Sequence, residues 1–247
     1  MIFPEWTTLN TILYSFFALL ALGVGPAEYF GASMMNYSKF RKGTGIPGRA
    51  GMVILYFLPF VAITWVAWSY LPTATLMQWL VYIAVAFHFI KRVLESLFVH
   101  KYAGKIDLPT TLMIASFYSL AASMLGWLNQ NPFPAPDGWT YLGILLYIVG
   151  IIGNFYHHKL LADLRKNSLD YFIPKGGLFE VVVCPHYLFE ILIWLGIALL
   201  SRHLMAWLIL LFIVMYLTTR SWRALKWYHE KFKDFPKDRK GILPFVM

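Results

Sequence analysis

Apolar runs long enough to cross a lipid bilayer recur along this chain, and they restrict its fold more than any other feature. Within the hydrocarbon core a helix satisfies its own backbone donors and acceptors, and spanning that core takes roughly 17–25 mostly apolar residues. Seven runs of about that length occur, near 8–29, 52–71, 76–98, 110–128, 139–161, 186–201 and 204–226. Only a very short turn separates the last two. With 59 % of residues hydrophobic and 13 % charged, an ordinary soluble protein is excluded. The expectation is an all-α integral membrane fold of seven transmembrane helices, forming a single membrane domain over residues 1–247. No loop is long enough for a second domain, and no internal repeat or low-complexity tract is present.

The basic residues orient these spans. With seven spans and an external N-terminus, every one of the 21 Lys and Arg residues except Arg202 falls on the cytoplasmic side. They run from Lys39, Arg41, Lys42 and Arg49 in the first inner loop to Lys237, Arg239 and Lys240 in the tail. An even number of spans would scatter them, so the positive-inside rule places the N-terminus outside and the C-terminus in the cytoplasm. The formal charge of +9 is therefore read as membrane orientation rather than nucleic-acid binding, with attraction of a polyanionic cofactor as a second effect. The single Cys184 allows no intrachain disulfide. The start, MIFPEWTTLN, lacks the basic region of a secretory signal, so the first run is expected to be a retained span. A bacterial inner membrane and the endoplasmic reticulum both fit, and the oligomeric state, monomer or otherwise, is open.

Ionisable side chains inside membrane spans need partners or a task. The stretch Tyr171–Gly196 concentrates them: Pro174 and Gly176-Gly177 interrupt any helix, and the apolar helix that follows opens with His186, Tyr187 and Glu190. His186 and Glu190, four apart, share a face that Tyr187 adjoins. This suits either a ligand or a polar helix start with an interfacial tyrosine. In the third span His88, Arg92, Glu95 and Val99 fall at helical spacing, followed by His100 and Lys101; Arg92 and Glu95 form either a structural ion pair or part of a site. In the fifth, Asn154, His158 and Arg165 lie four and seven apart, so one helix face offers an amide, an imidazole and a guanidinium that suit a phosphate or ribose. Arg220 and Tyr228, eight apart, share a face of the seventh, where Trp227 is read as an interfacial aromatic. Glu28, ending the first span, either snorkels or lines a cavity. Tyr56, before the kinking Pro59, is a candidate donor into a cavity.

Other chemistries find less support. Gly43, Gly45 and Gly48 spell G-x-G-x-x-G, but no strand precedes them, no βαβ unit has room to follow and no acid lies about 20 residues on, so a flexible loop is expected instead of a Rossmann turn. The seven His lack the clustered spacings that gather imidazoles on a metal, and no metal site is expected. There is no G-x-S-x-G elbow, and Cys184 beside Pro185 has no evident activating base, which disfavours covalent catalysis.

Several segments together resemble the steroid 5α-reductase family, which includes trans-2-enoyl-CoA reductases. They are Ile173-Pro174-Lys175-Gly176-Gly177-Leu178-Phe179, Cys184-Pro185-His186-Tyr187 with Glu190, Asn154 with Leu164-Arg165-Lys166, and Tyr228, Phe232 and Ile242-Leu243-Pro244-Phe245. The likeness runs from about Pro47 onward, and residues from about 100 to 247 carry the reductase motifs. It implies a seven-helix membrane enzyme that binds NADPH in a pocket open to the cytoplasm and reduces a C=C bond conjugated to a carbonyl in a lipid. Carried over by position, cofactor contacts fall on Asn154, His158, Arg165, Tyr171, Gly176, Gly177, His186, Glu190, Arg220 and Tyr228, with Arg92, His100 and Lys101 from the third helix. Tyr187 inherits the role of proton donor, with Glu190 or His186 to restore its charge, and Tyr56 stands in reserve.

The substrate class follows from the differences. Steroid-reducing members hold the ketone with a Gln-Glu pair before Leu-Pro in the second helix and a third-helix Tyr, whereas this chain has Tyr56-Phe57 and Phe89 at those places. An enoyl thioester is therefore favoured over a 3-oxo-Δ4-steroid. Two other classes stay open on sequence alone. One is an S-adenosylmethionine-dependent membrane methyltransferase, which shares the His/Tyr helix and basic tail. The other is a lipid-binding relative without activity.

Overall fold

The structure, a computed structural model, describes residues 1–31, 45–102, 104–167 and 170–244. Lys39, Arg41, Lys42 and Gly43 of the expected first inner loop, and Phe245 of the closing motif, lie outside the described residues. Among the described residues, seven α-helices follow the seven apolar runs: α1 (Thr8–Tyr29), α2 (Gly48–Ala67), α3 (Leu76–Leu94), α4 (Leu108–Leu128), α5 (Gly138–Asp163), α6 (Pro185–Ser201) and α7 (Leu204–Lys231). Five of them, α1, α2, α4, α5 and α7, are long and apolar enough to cross a membrane, and α6 is apolar but shorter.

Local chemistry sets where they start and stop. The Thr7 hydroxyl accepts from Asn10 N at the head of α1, Thr75 and Gln78 form a reciprocal capping box on α3, and the Asp107 carboxylate accepts from Thr110 N on α4. Each satisfies donors that a helix start leaves without intrahelical partners. Pro185 is the first residue of α6, where its missing N–H costs nothing. Between α6 and α7 only Arg202 and His203 intervene, and Arg202 adopts the left-handed region at φ 61° to reverse the chain.

Two departures from the expected pattern have local causes. α3 does not continue as an α-helix through Val99: residues Glu95–Val99 form a π turn, closed by His100 N donating to the Glu95 carbonyl at 2.8 Å. The wider turn moves Val99 out of the stripe set by His88, Arg92 and Glu95. Near Gly45 and Gly48, the expected loop contains a short strand, β1 (Ile46–Pro47), paired antiparallel with β2 (Lys105–Ile106). The pair is antiparallel, with α2 and α3 between its strands, and so has no βαβ geometry.

The helices divide into two compact units. The first comprises residues 1–5, 34–144 and 196–207, and the second residues 6–33, 145–195 and 208–247. In the first, α2 lies against α3 and α4, with Leu55, Ile63, Val85, Phe89 and Leu125 in its core. In the second, Val183, Cys184, Ala224, Tyr228 and Phe235 form a buried cluster joining the start of α6 to α7 and the tail. Here α5 and α6 approach through small residues: a Cβ on Gly150 would meet Ile193 N at 2.7 Å and the Phe189 carbonyl at 2.9 Å, and one on Gly153 would overlap the Phe189 ring. Close approach of this kind drives helix association where no water is present to do so. Gly150→Ala is therefore expected to destabilise the detergent-solubilised protein by about 1–3 kcal/mol, because backbone has to move. Gly23, with nothing within 4 Å of its Cβ direction, is the control: Gly23→Ala is expected within about 1 kcal/mol of wild type. Equal melting shifts for the two variants would contradict this account of the α5–α6 contact.

Candidate functional site

In the second unit the polar groups of α5 and α6 meet around Glu190. Asn154, 1 % exposed on α5, donates to the His186 carbonyl at 2.9 Å and to Glu190 Oε2 at 3.2 Å. Trp194, one turn beyond Glu190 on α6, donates Nε1–H to Glu190 Oε1 at 3.2 Å. Both donors are neutral groups that fix the orientation of the carboxylate. The His158 and His186 rings lie 5.0 Å apart, and the His186 and Tyr187 rings 4.4 Å apart. Thus Asn154, His158, His186, Tyr187 and Glu190, five of the residues expected at the site, form one cluster.

A shaped loop leads into that cluster. Gly176 and Gly177 have φ of 88° and 54°, a conformation that side-chain-bearing residues rarely hold. The loop is anchored at several points. Gly176 N donates to Glu180 Oε1 at 2.6 Å, and Leu178 N donates to His157 Nε2 at 3.1 Å. Arg239 in the tail, 4 % exposed, donates to the Pro174 carbonyl at 2.8 Å and lies 3.6 Å from Glu180 Oε2. The tail backbone also runs beside the segment, Val183 N and Cys184 N donating to the carbonyls of Lys240 and Gly241.

The remaining expected residues of this unit take different positions. Arg165 is not on α5, which ends at Asp163; a tightened turn follows, and the guanidinium lies over the Tyr171 ring at 4.3 Å. Tyr171 in turn meets Trp227 at 5.0 Å, so Trp227 belongs to this aromatic group. Tyr228 is buried and stacks with Phe232 and Phe235. Arg220 is 1 % exposed and donates to Glu28 Oε1 at 3.0 Å, while Arg223 donates to the same oxygen at 2.6 Å. Glu28, 0 % exposed, therefore does not snorkel.

The first unit holds its own cluster. Arg92 Nη1 pairs with Glu95 Oε2 at 2.5 Å, Lys91 with Glu95 Oε1 at 2.7 Å, and Arg92 Nη2 donates to the Tyr56 hydroxyl at 3.0 Å. Tyr56 stacks on Tyr118, which also contacts Phe89. His100 Nδ1 lies 2.9 Å from the Tyr102 hydroxyl, which donates to Ser96 Oγ at 3.1 Å. Lys101 is exposed. Burial first, and then the charges of Arg92 and Lys91, push the His100 pKa down to about 3.

Sequence reasoning passed over four residues: Glu28 as a partner of Arg220, His157, Trp194 and Arg239. His157 lies three residues after Asn154 and Trp194 four after Glu190, so helical spacing held a signal for both. Nothing local marks Glu28 or Arg239, whose partners lie far along the chain.

A family model described as 3-oxo-5-alpha-steroid 4-dehydrogenase matches residues 81–247. The chain is 32 % identical over 170 residues to the very-long-chain enoyl-CoA reductase of Dictyostelium discoideum, covering 67 % of this chain and 57 % of that one. It is 36 % identical over 151 residues to 3-oxo-5-alpha-steroid 4-dehydrogenase 1 of Rattus norvegicus, covering 58 % of each. The Mus musculus protein of the same name is 31 % identical over 257 residues, covering 98 % of each chain. The match thus spans little more than half of the first two relatives and nearly all of the third.

His100 gives the unit around it a pH dependence. Its folded pKa of about 3 lies below the unfolded value of 6.5, so the unfolded chain takes up the proton first. The stability it contributes is complete above the unfolded pKa and is lost progressively as pH falls from there toward the folded value. The melting temperature is expected to fall across that window, and less steeply in His100→Gln; parallel curves would contradict the assignment.

Proposed function

The chain belongs to the 3-oxo-5-alpha-steroid 4-dehydrogenase family, that of the steroid 5α-reductases, and on that premise we propose that it is a membrane-embedded NADPH-dependent reductase of a C=C bond conjugated to a carbonyl in a lipid. The observation that carries this reading is the cluster of Asn154, Glu190, His186 and Tyr187 beside the left-handed Gly176–Gly177 turn. All seven helices are read as spans, with the N-terminus outside and the C-terminus cytoplasmic, in line with the positive-inside pattern.

The donor set fits a dinucleotide. It combines a turn free of side chains, an amide and carboxylate in mutual contact, imidazoles, and cationic groups near aromatic rings. Asn154, His158, Arg165, Tyr171, Gly176, Gly177, His186, Glu190, Arg220 and Tyr228 would hold NADPH, and Arg92, His100 and Lys101 carry the contacts that the family resemblance assigns to the third helix. Bound NADPH supplies the hydride for the β-carbon. Tyr187 supplies the proton for the α-carbon, with the adjoining His186 to offset the charge left on the phenol. Tyr56 remains the reserve donor: its hydroxyl accepts from Arg92, so its own proton points away from that cation.

The preferred substrate is an enoyl thioester such as trans-2-enoyl-CoA. Phe57 and Phe89 occupy the places of steroid-carbonyl donors, and Phe89, 2 % exposed against Tyr118, offers no polar group there. A 3-oxo-Δ4-steroid is the second reading, supported by the nearly full-length likeness to the mouse protein. A methyltransferase is not favoured, since the matched family and relatives carry dehydrogenase and reductase names.

The test is NADPH oxidation by detergent-purified protein with a trans-2-enoyl-CoA and with a 3-oxo-Δ4-steroid. Turnover of the thioester is expected, falling by about 10²–10⁴-fold in Tyr187→Phe. Steroid turnover that Tyr187→Phe leaves intact would overturn both the substrate preference and the proton donor.

A further inference from the structure

We infer that His157 is a positioning residue: a neutral imidazole with its proton on Nδ1 holds the Gly176–Gly177 turn in shape, and its protonation releases that turn. The inference rests on reading the turn as part of the dinucleotide site, and it adds a proton-dependent control of that site. Two contacts fix the protonation state. His157 Nδ1 lies 2.7 Å from the Gly153 carbonyl, one turn back on α5, an oxygen that can only accept. Nε2 lies 3.1 Å from Leu178 N, which can only donate. A ring with its hydrogen on Nδ1 and a lone pair on Nε2 satisfies both. Adding a proton to Nε2 sets N–H against N–H and removes the contact.

The ring cannot turn away to relieve that conflict. It is 3 % exposed, stacks on Phe189 of α6 at 5.2 Å and 20°, and meets the Phe179 ring edge-on at 5.4 Å. A Cβ on Gly177 would sit 2.8 Å from Nε2, so the turn fits against the imidazole without spare room. The turn's own closure, Phe179 N to the Gly176 carbonyl at 3.1 Å, lies beside this contact. Losing the Leu178 anchor therefore frees the residues whose left-handed φ values shape the loop. Titratable or charged groups on the surrounding elements include Tyr156, His158 and Lys159 on α5, Lys175, Glu180 and Cys184 on the loop, His186, Tyr187 and Glu190 on α6, and Arg239 in the tail. Glu180 holds Gly176 N and is the competing control of the same turn.

Two measurements on the full-length, detergent-purified protein separate these groups. One is hydrogen exchange of the 176–182 backbone without cofactor, corrected for intrinsic rates. The other is NADPH affinity from nicotinamide fluorescence. Each is made at pH 8 and pH 5 on wild type, His157→Gln and His157→Phe. In wild type, protection is expected to fall and the Kd to rise by about tenfold or more at the lower pH. His157→Gln keeps an acceptor for Leu178 but takes no proton, so its protection should not change with pH and its affinity should change less than that of wild type, by what the titrating 2′-phosphate of NADPH itself contributes. His157→Phe should be poorly protected and weakly binding at both values. A flat wild-type response overturns the inference. So does a His157→Gln slope equal to that of wild type, which would trace the effect to Glu180, His158 or His186. If no NADPH binds at any pH while protection follows the expected pattern, the cofactor reading fails and the anchoring role of His157 stands.

Discussion

A carboxylate among membrane helices is tolerable only where donors surround it; among the described residues Glu28 and Glu95 are buried and Glu190 is half-buried, and each has such donors. Glu95, in the π turn, takes Lys91 and Arg92 from the last turns of α3. Glu28 takes Arg220 and Arg223 from α7, tying the end of α1 to the far part of the chain. Glu190 takes an amide from α5 and an indole from α6. The first two are balanced by cations. Glu190 accepts from the Asn154 amide and the Trp194 indole, one donor from each of two helices. Asn154 and Trp194 thus bring α5 and α6 to one carboxylate at the α5–α6 junction.

Everything around the junction serves to keep it in place. Gly150 and Gly153 let α6 come close enough for Asn154 to reach both a carbonyl and the carboxylate. The loop before α6 is irregular, yet its backbone is tied at Gly176, Leu178, Val183 and Cys184, and Arg239 holds the Pro174 carbonyl. Irregular backbone near a membrane persists where protein groups satisfy it. Through Arg239, Lys240 and Gly241 the tail thus acts as a clasp on the loop.

Much of the architecture was legible because it depends on local properties. Apolar run length located all seven helices, and Thr7, Thr75, Asp107 and Pro185 mark their starts through capping chemistry. The Gly pair at 176–177 announced its turn for the same reason. Helical spacing also put Asn154 with His158 on one face and His186 with Glu190 on another, and the structure brings these two faces together. It failed where the helix itself changed: Arg165 lies beyond the end of α5, and the π turn after Leu94 shifts Val99. It gave no access to Glu28 and Arg220, or to Arg239 and Pro174, because those pairs are made by tertiary folding between distant segments.

The central claim is that Glu190 and its neutral donors form part of a dinucleotide site. The most direct test is equilibrium binding of NADPH to wild type and to Glu190→Ala, with the melting temperature of each recorded in the same detergent. The account predicts saturable binding by wild type and a Kd raised by about tenfold or more in a variant that still melts cooperatively, as expected for a lost charged contact. Equal affinity in the two proteins would contradict it.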